Sequence, residues 1–104
     1  MRHLRCHWGE EDIWFHFELD PDGWVTRQIE LQGPAETPIA AASLDEELRA
    51  RDAGTLTEYE NTYGLTSEKP LDPADLPDPE PIPPDEFERL WQHARTTLES
   101  RQKP

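Results

Sequence analysis

Cysteine is almost missing from this sequence: Cys6 stands alone, so no internal disulfide can form and a reducing compartment suits the chain. Long apolar runs are missing as well. The opening MRHLRCHWGEEDIWF has no uninterrupted apolar stretch, so neither a signal peptide nor a membrane span is expected, and the expected location is cytoplasmic. Glycine is scarce, with five residues that all read as turns and none grouped into a phosphate-cradling loop. There is no CxxC, HExxH, EF-hand or GxSxG spacing. Basic residues are few where acids are many. Between positions 6 and 88 lie 22 of the 23 acids, against only Arg27, Arg49, Arg51 and Lys69.

The other six basic residues sit toward the ends: Arg2, Arg5, Arg89, Arg95, Arg101 and Lys103. A body this acidic, in a chain of net charge −13, repels nucleic acid and anionic lipid, whose binding requires phosphate neutralisation. It is drawn instead to a protein with a basic surface. The plainer alternative is that the acid keeps a small protein soluble.

What is present argues for a folded domain. Hydrophobic residues reach 34% and charged ones 32%, a balance that leans toward disorder. Four tryptophans, three phenylalanines and two tyrosines pull the other way. A single small domain is expected, with a β-meander over 1–43, short helices over 44–65, a proline-rich acidic connector over 66–84 and a C-terminal helix over 85–102.

Asp20-Pro21-Asp22-Gly23 signals a turn. A three-residue loop there pairs Leu19 with Val25, Phe17 with Arg27, Phe15 with Ile29 and Ile13 with Leu31. One face of that hairpin is apolar except for Arg27. Trp14, His16, Glu18, Thr26, Gln28 and Glu30 make up the other, and a one-residue slip would ruin the pattern. HLRCHW reads as a preceding strand with Leu4, Cys6 and Trp8 on one side. TPIAAAS reads as a fourth strand, placed at an edge by Pro38.

Helices should cover the apolar side. Ser43-Leu44-Asp45-Glu46 reads as a capping box, and Gly54 can end the helix that follows. Thr55-Leu56-Thr57-Glu58 repeats the box for a helix carrying Leu56, Tyr59 and Tyr63, stopped by Gly64. The last helix has Pro84 in its first turn, Asp85, Glu86 and Glu88 at its positive end, and Arg95 and Arg101 toward its negative end. Phe87, Leu90, Trp91, Ala94 and Leu98 share one of its faces. The expected fold class is α+β: an antiparallel meander of about four strands, with the C-terminal amphipathic helix and one or two short helices packed on one face.

Candidate chemistry is thin. On a strand, His3 and His7 stand roughly 13 Å apart with Cys6 pointing the other way, so HLRCH holds no metal. A two-histidine surface site with His16 stays open. Cys6 reads as a buried thiol acting as a small hydrophobe, and Ser43 as a helix cap. No catalytic residue, metal or cofactor is expected, and the chain reads as a non-enzyme.

Three features remain. Arg27 either covers Phe17 with its stem and sends its guanidinium to a surface acid, or anchors a small-ligand pocket among Phe17, Trp8 and the last helix. Trp14 and Trp24, with His16 beside them, lie on the face away from the core. They hold a partner unless the proline-rich segment wraps over them. PLDPADLPDPEPIPP, with Asp72, Asp75, Asp78 and Glu80, is an extended segment. It serves either as a stiff spacer carrying the last helix back across the sheet or as an acidic strap for a partner.

Trp8, Phe17 to Asp20 and Arg27 to Glu30, with the later AAASL, YGL and EFERLWQHAR, resemble the outline of a family of short bacterial proteins, mostly actinobacterial. The resemblance covers most of the chain and implies no assigned activity, so it carries over no catalytic residue. Small acidic domains of this general kind also look like immunity proteins, which plug the basic cleft of a toxin; that analogy rests on size and charge. The leading expectation is a non-catalytic acidic protein-binding module, with that immunity or inhibitor type as its model, and a regulatory or small-ligand domain anchored at Arg27 as the alternative. A core this small would also gain from a homodimer.

Overall fold

The computed structural model describes residues 1–102. Alternation builds the first strand: in β1 (Arg2–Trp8) the side chains of Leu4 and Cys6 are buried and their neighbours are not. It pairs antiparallel with β2 (Ile13–Leu19), which pairs with β3 (Val25–Gln32), which pairs with β4 (Thr37–Ser43). A two-residue strand, β5 (Glu80–Pro81), from the proline-rich segment adds to the outer edge of β1, so the order is β4-β3-β2-β1-β5. The fold is α+β, with five strands where four were expected.

The hairpin turn forms as the sequence predicts. Asp20 accepts from the backbone N–H groups of Asp22 and Trp24 through Oδ1, Gly23 takes φ +89°, and Leu19 faces Val25. One residue later the expected register fails. Thr26 is extra on its strand, so Arg27 faces Glu18, Ile29 faces His16 and Leu31 faces Trp14, while Phe17 faces Gln28 and Phe15 faces Glu30. A bulge inserts one residue and moves everything beyond it to the opposite face. Thr26 steadies it by donating from Oγ1 toward the Glu18 carbonyl and carboxylate, at 3.1 and 2.8 Å.

The slip makes sense once both faces are seen to be covered. On one side lies α3 (Pro84–Gln102), whose Phe87, Trp91, Ala94 and Leu98 pack on Ile29, Leu31, Ala41 and Ile82. On the other, Leu71 and Leu76 of the proline-rich segment pack on Leu4, Cys6, Phe17, Leu19 and Val25. An unbroken apolar stripe would have starved one face. The bulge divides β3 between them.

Along β4, α1 (Leu44–Ala53) and α2 (Leu56–Tyr63) follow the chain. Ser43 caps α1 by accepting from the Glu46 N–H, and Gly54 closes it at φ +76°. The reciprocal half of that capping box does not form: Glu46 turns to Arg95 and Tyr59. Thr55 makes no side-chain cap on α2, contrary to expectation. After Gly64, where a Cβ would stand 2.9 Å from that of Ala40, the chain rounds the β4 edge. Ser67 donates to Gln28 Oε1, Leu71 donates to the Gly23 carbonyl, and a single 3₁₀ turn covers Pro73–Asp75. The segment then meets β1, so it does carry the last helix across the sheet, and it covers a face on the way.

Candidate functional site

Burial of a lone arginine is costly, and the fold answers that cost twice at Arg27. Its Nε and Nη2 donate to the two oxygens of Glu18, at 2.9 and 2.6 Å, and Nη1 and Nη2 donate to Glu88 of α3. Four of its five N–H groups are thereby used. The guanidinium carbon lies 5.0 Å from the ring centres of both Phe87 and Trp91. Burial alone would raise the Glu18 carboxyl, but hydrogen bonds from Arg27, Thr26 and His3 outweigh it and hold the group well below the usual carboxylate range. Arg27 ties α3 to the hairpin, and a ligand there would have to displace Glu18 and Glu88. Its guanidinium lies over α3 rings, and it faces Glu18 in place of the expected Phe17.

His16 was expected at the surface; it is 2% exposed. The bulge places it opposite Ile29, on the face α3 covers. Its Nδ1 finds no hydrogen-bond partner. Burial, reinforced by the positive charge of Arg5, lowers its pKa to about 4 and keeps the ring neutral. No partner can reach it, and no two-histidine surface site forms: His3 bonds Glu18 and His7 bonds Asp12. Among the described residues no three His, Cys, Asp or Glu side chains gather to hold a metal ion.

The two tryptophans assigned to a shared patch are separated. Trp14 is half-buried beside the α3 core, with the Arg5 guanidinium 4.7 Å above its ring and His7 4.8 Å away. Trp24, 40% exposed, stands at the other end of the sheet. There it borders a recess of about 370 Å³ with Leu48, Arg51 and Thr66. The proline-rich segment packs on the Phe17 face, and the start of the connector, Thr66 to Glu68, shares the Trp24 recess.

The strap's acids divide by role. Asp72 caps its turn by accepting from the Ala74 N–H, and Glu80 pairs with Arg5 at 3.1 Å. Asp75 and Asp78 are exposed and make no ion pair among the described residues. Between them, Leu76 and Pro77 form one wall of a groove of about 350 Å³, whose floor is Cys6, Phe15 and Phe17 and whose far wall is Trp8. Trp8 is 43% exposed, although its place on the Leu4–Cys6 side suggested core. Phe15 and Phe17 stack with centroids 5.9 Å apart, and Trp8 lies 6.2 Å from Phe15. Burial pushes the Cys6 thiol up, so it stays protonated in the groove floor. Directly across from Phe15 sits Glu30, half-buried. Its one side-chain hydrogen bond among the described residues is from Gln28 Nε2 at 3.1 Å, and burial raises its carboxyl against that bond.

No family model matches this chain, and no match was found among the curated proteins or the solved structures.

Two other recesses mix charged and apolar side chains. The larger, about 600 Å³, lies where Asp20, Asp22 and Asp72 meet Arg2 beside the hairpin turn. In the other, of about 290 Å³, Arg95 stacks on Tyr63 and Trp91 at 3.9 and 4.3 Å and bonds Glu46, Tyr59 and the Ala41 carbonyl. Burial raises Tyr59, so its hydroxyl remains a donor to Glu46. These groups fasten α1, α2 and α3 to β4. Sequence reasoning missed Trp8, Phe15 and Glu30 as an accessible set. The one available signal was that a short proline-rich segment carries only two leucines to cover a face of eight or so side chains.

Proposed function

We propose that this protein is a non-catalytic, acidic protein-binding module that meets a basic partner surface, in the manner of an immunity or inhibitor protein. One observation carries the reading: half of the few cations are engaged within the fold, while most of the carboxylates make no ion pair among the described residues. Ion pairs occupy Asp12, Glu18, Asp45, Glu46, Glu80 and Glu88. In those pairs Arg5, Arg27, Arg49 and Arg95 are already committed, and Arg101 is turned to the Pro38 carbonyl. The remaining 17 of the 23 carboxylates make no ion pair among the described residues. Such a field steers a cationic partner and rejects anionic ones. A small-anion site at Arg27 is the lesser reading, because the guanidinium is already held by two carboxylates.

The test is an affinity capture from the host's lysate, run in parallel with the native chain and with an Asp75→Lys/Asp78→Lys variant, and washed at low and then high salt. One stoichiometric basic protein, held by the native chain, released by salt and lost by the variant, is the expected result. Identical recoveries on both columns, or an empty native column, would overturn the proposal.

A further inference from the structure

We infer that the groove between Trp8 and the strap is the docking surface, and that its occupant is a partner segment presenting a large apolar side chain next to a lysine or arginine. This rests on the binding-module reading above and adds the place and the chemistry.

The groove joins two features that a cationic, apolar partner needs together. Its floor and walls are apolar and open: Phe15, Phe17, Leu76, Pro77 and the exposed indole of Trp8. The residues next to that lining are anionic and make no ion pair among the described residues: Asp75 and Asp78 flank Leu76 and Pro77, Glu10 and Glu11 follow Trp8 in the turn, and Glu30 stands across from Phe15. An apolar centre with a polar rim is the anatomy of a protein interface, and a half-exposed tryptophan is a frequent anchor in one.

Charge selects the occupant. A second copy of this chain would bring another net −13 and a second acidic rim to the same place, so self-docking is disfavoured. Anionic lipid and nucleic acid are repelled on the same ground. Glu30 decides the finer point. It is half-buried on the groove's own face and bonded only to a neutral amide, so a cation that arrives beside it supplies the partner this carboxylate lacks. An apolar side chain alone would leave Glu30 further desolvated and unpaired, which is unfavourable. A cation alone would leave the indole and phenyl rings wet.

Three capped octapeptides test this by NMR titration: alternating lysine–leucine, lysine–serine and glutamine–leucine. The lysine–leucine peptide is expected to shift the Trp8 indole and the amides of Phe15, Phe17 and Leu76 saturably. It should bind about tenfold more tightly than either of the other two. Trp8→Ser and Glu30→Gln should each remove most of that advantage, and the unchanged amide pattern elsewhere would show that both variants fold. Equal binding of both lysine peptides, with shifts scattered over the acids, would overturn the groove while leaving the charge-based reading intact. Equal binding of the two leucine peptides would overturn the cationic part of the occupant. No binding of either lysine peptide would count against both the groove and the basic partner.

Discussion

Thr26 is an ordinary residue at which the fold turns on one extra position. With it in the ladder, Arg27 would face Phe17; with it bulged, Arg27 reaches Glu18 across the strand and Glu88 across the layer. His16, now opposite Ile29 on the face α3 covers, is buried and neutral with Nδ1 unpartnered, which has a consequence in acid. Below pH 6.5 the unfolded chain takes up a proton that the folded ring refuses until about pH 4. Stability therefore falls as pH drops from 6.5 to about 4, by roughly 3 kcal/mol in all, and this group contributes no further loss below that. His16→Leu should flatten that segment of the curve, as read by urea unfolding at successive pH values. A variant curve parallel to the native one would sink the assignment. Glu18 behaves differently. Its carboxyl is held low, so its contribution is intact above its unfolded value of 4.5 and is lost only at more acid pH.

At the scale of elements, both sheet edges are closed by devices other than a long strand. On β1 the two residues of β5 do it, helped by the Ile82 N–H to the His3 carbonyl. On β4 side chains do it: Arg95 takes the Ala41 carbonyl, Arg101 takes that of Pro38, and Tyr59 meets Ser43. Unpaired edges invite strand-to-strand association. Arg95→Ala should cost about 2 kcal/mol through the freed carbonyl and the half-exposed Glu46, and it should produce concentration-dependent association in sedimentation runs. A variant that stays monomeric and melts with the native chain would refute this role. The elements themselves were largely legible. The stripe from Phe87 to Leu98, the Ser43 cap and the Asp20–Gly23 turn each depend on neighbours within a few residues, and each appears as read. Thr55 was misread because its backbone, at ψ +24°, is not in the extended conformation from which an N-cap side chain reaches the first turn. The strap's path over the Phe17 face had no local signal, since extended proline-rich chain looks the same whether it spans solvent or lies on a sheet.

For the molecule as a whole, charge is the dominant quantity. Seventeen carboxylates that make no ion pair among the described residues repel one another in the native state, and screening relieves that repulsion. The melting temperature should rise by on the order of 5 °C between about 0.02 and about 0.5 M sodium chloride. A flat or falling response would mean that the internal ion pairs outweigh the exterior field. Sequence by itself determined the α+β class, the buried face of α3 and the acidic exterior, because composition and short-range periodicity act on each residue independently of what lies across the fold. Only the tertiary structure decided which sheet face Arg27 and His16 would join, that Trp8 would be left open and that Trp14 and Trp24 would part. The bulge at Thr26 decides the face of Arg27 and its successors on β3, and the rest follows from what covers each face of the sheet: α3 on one side and the strap on the other.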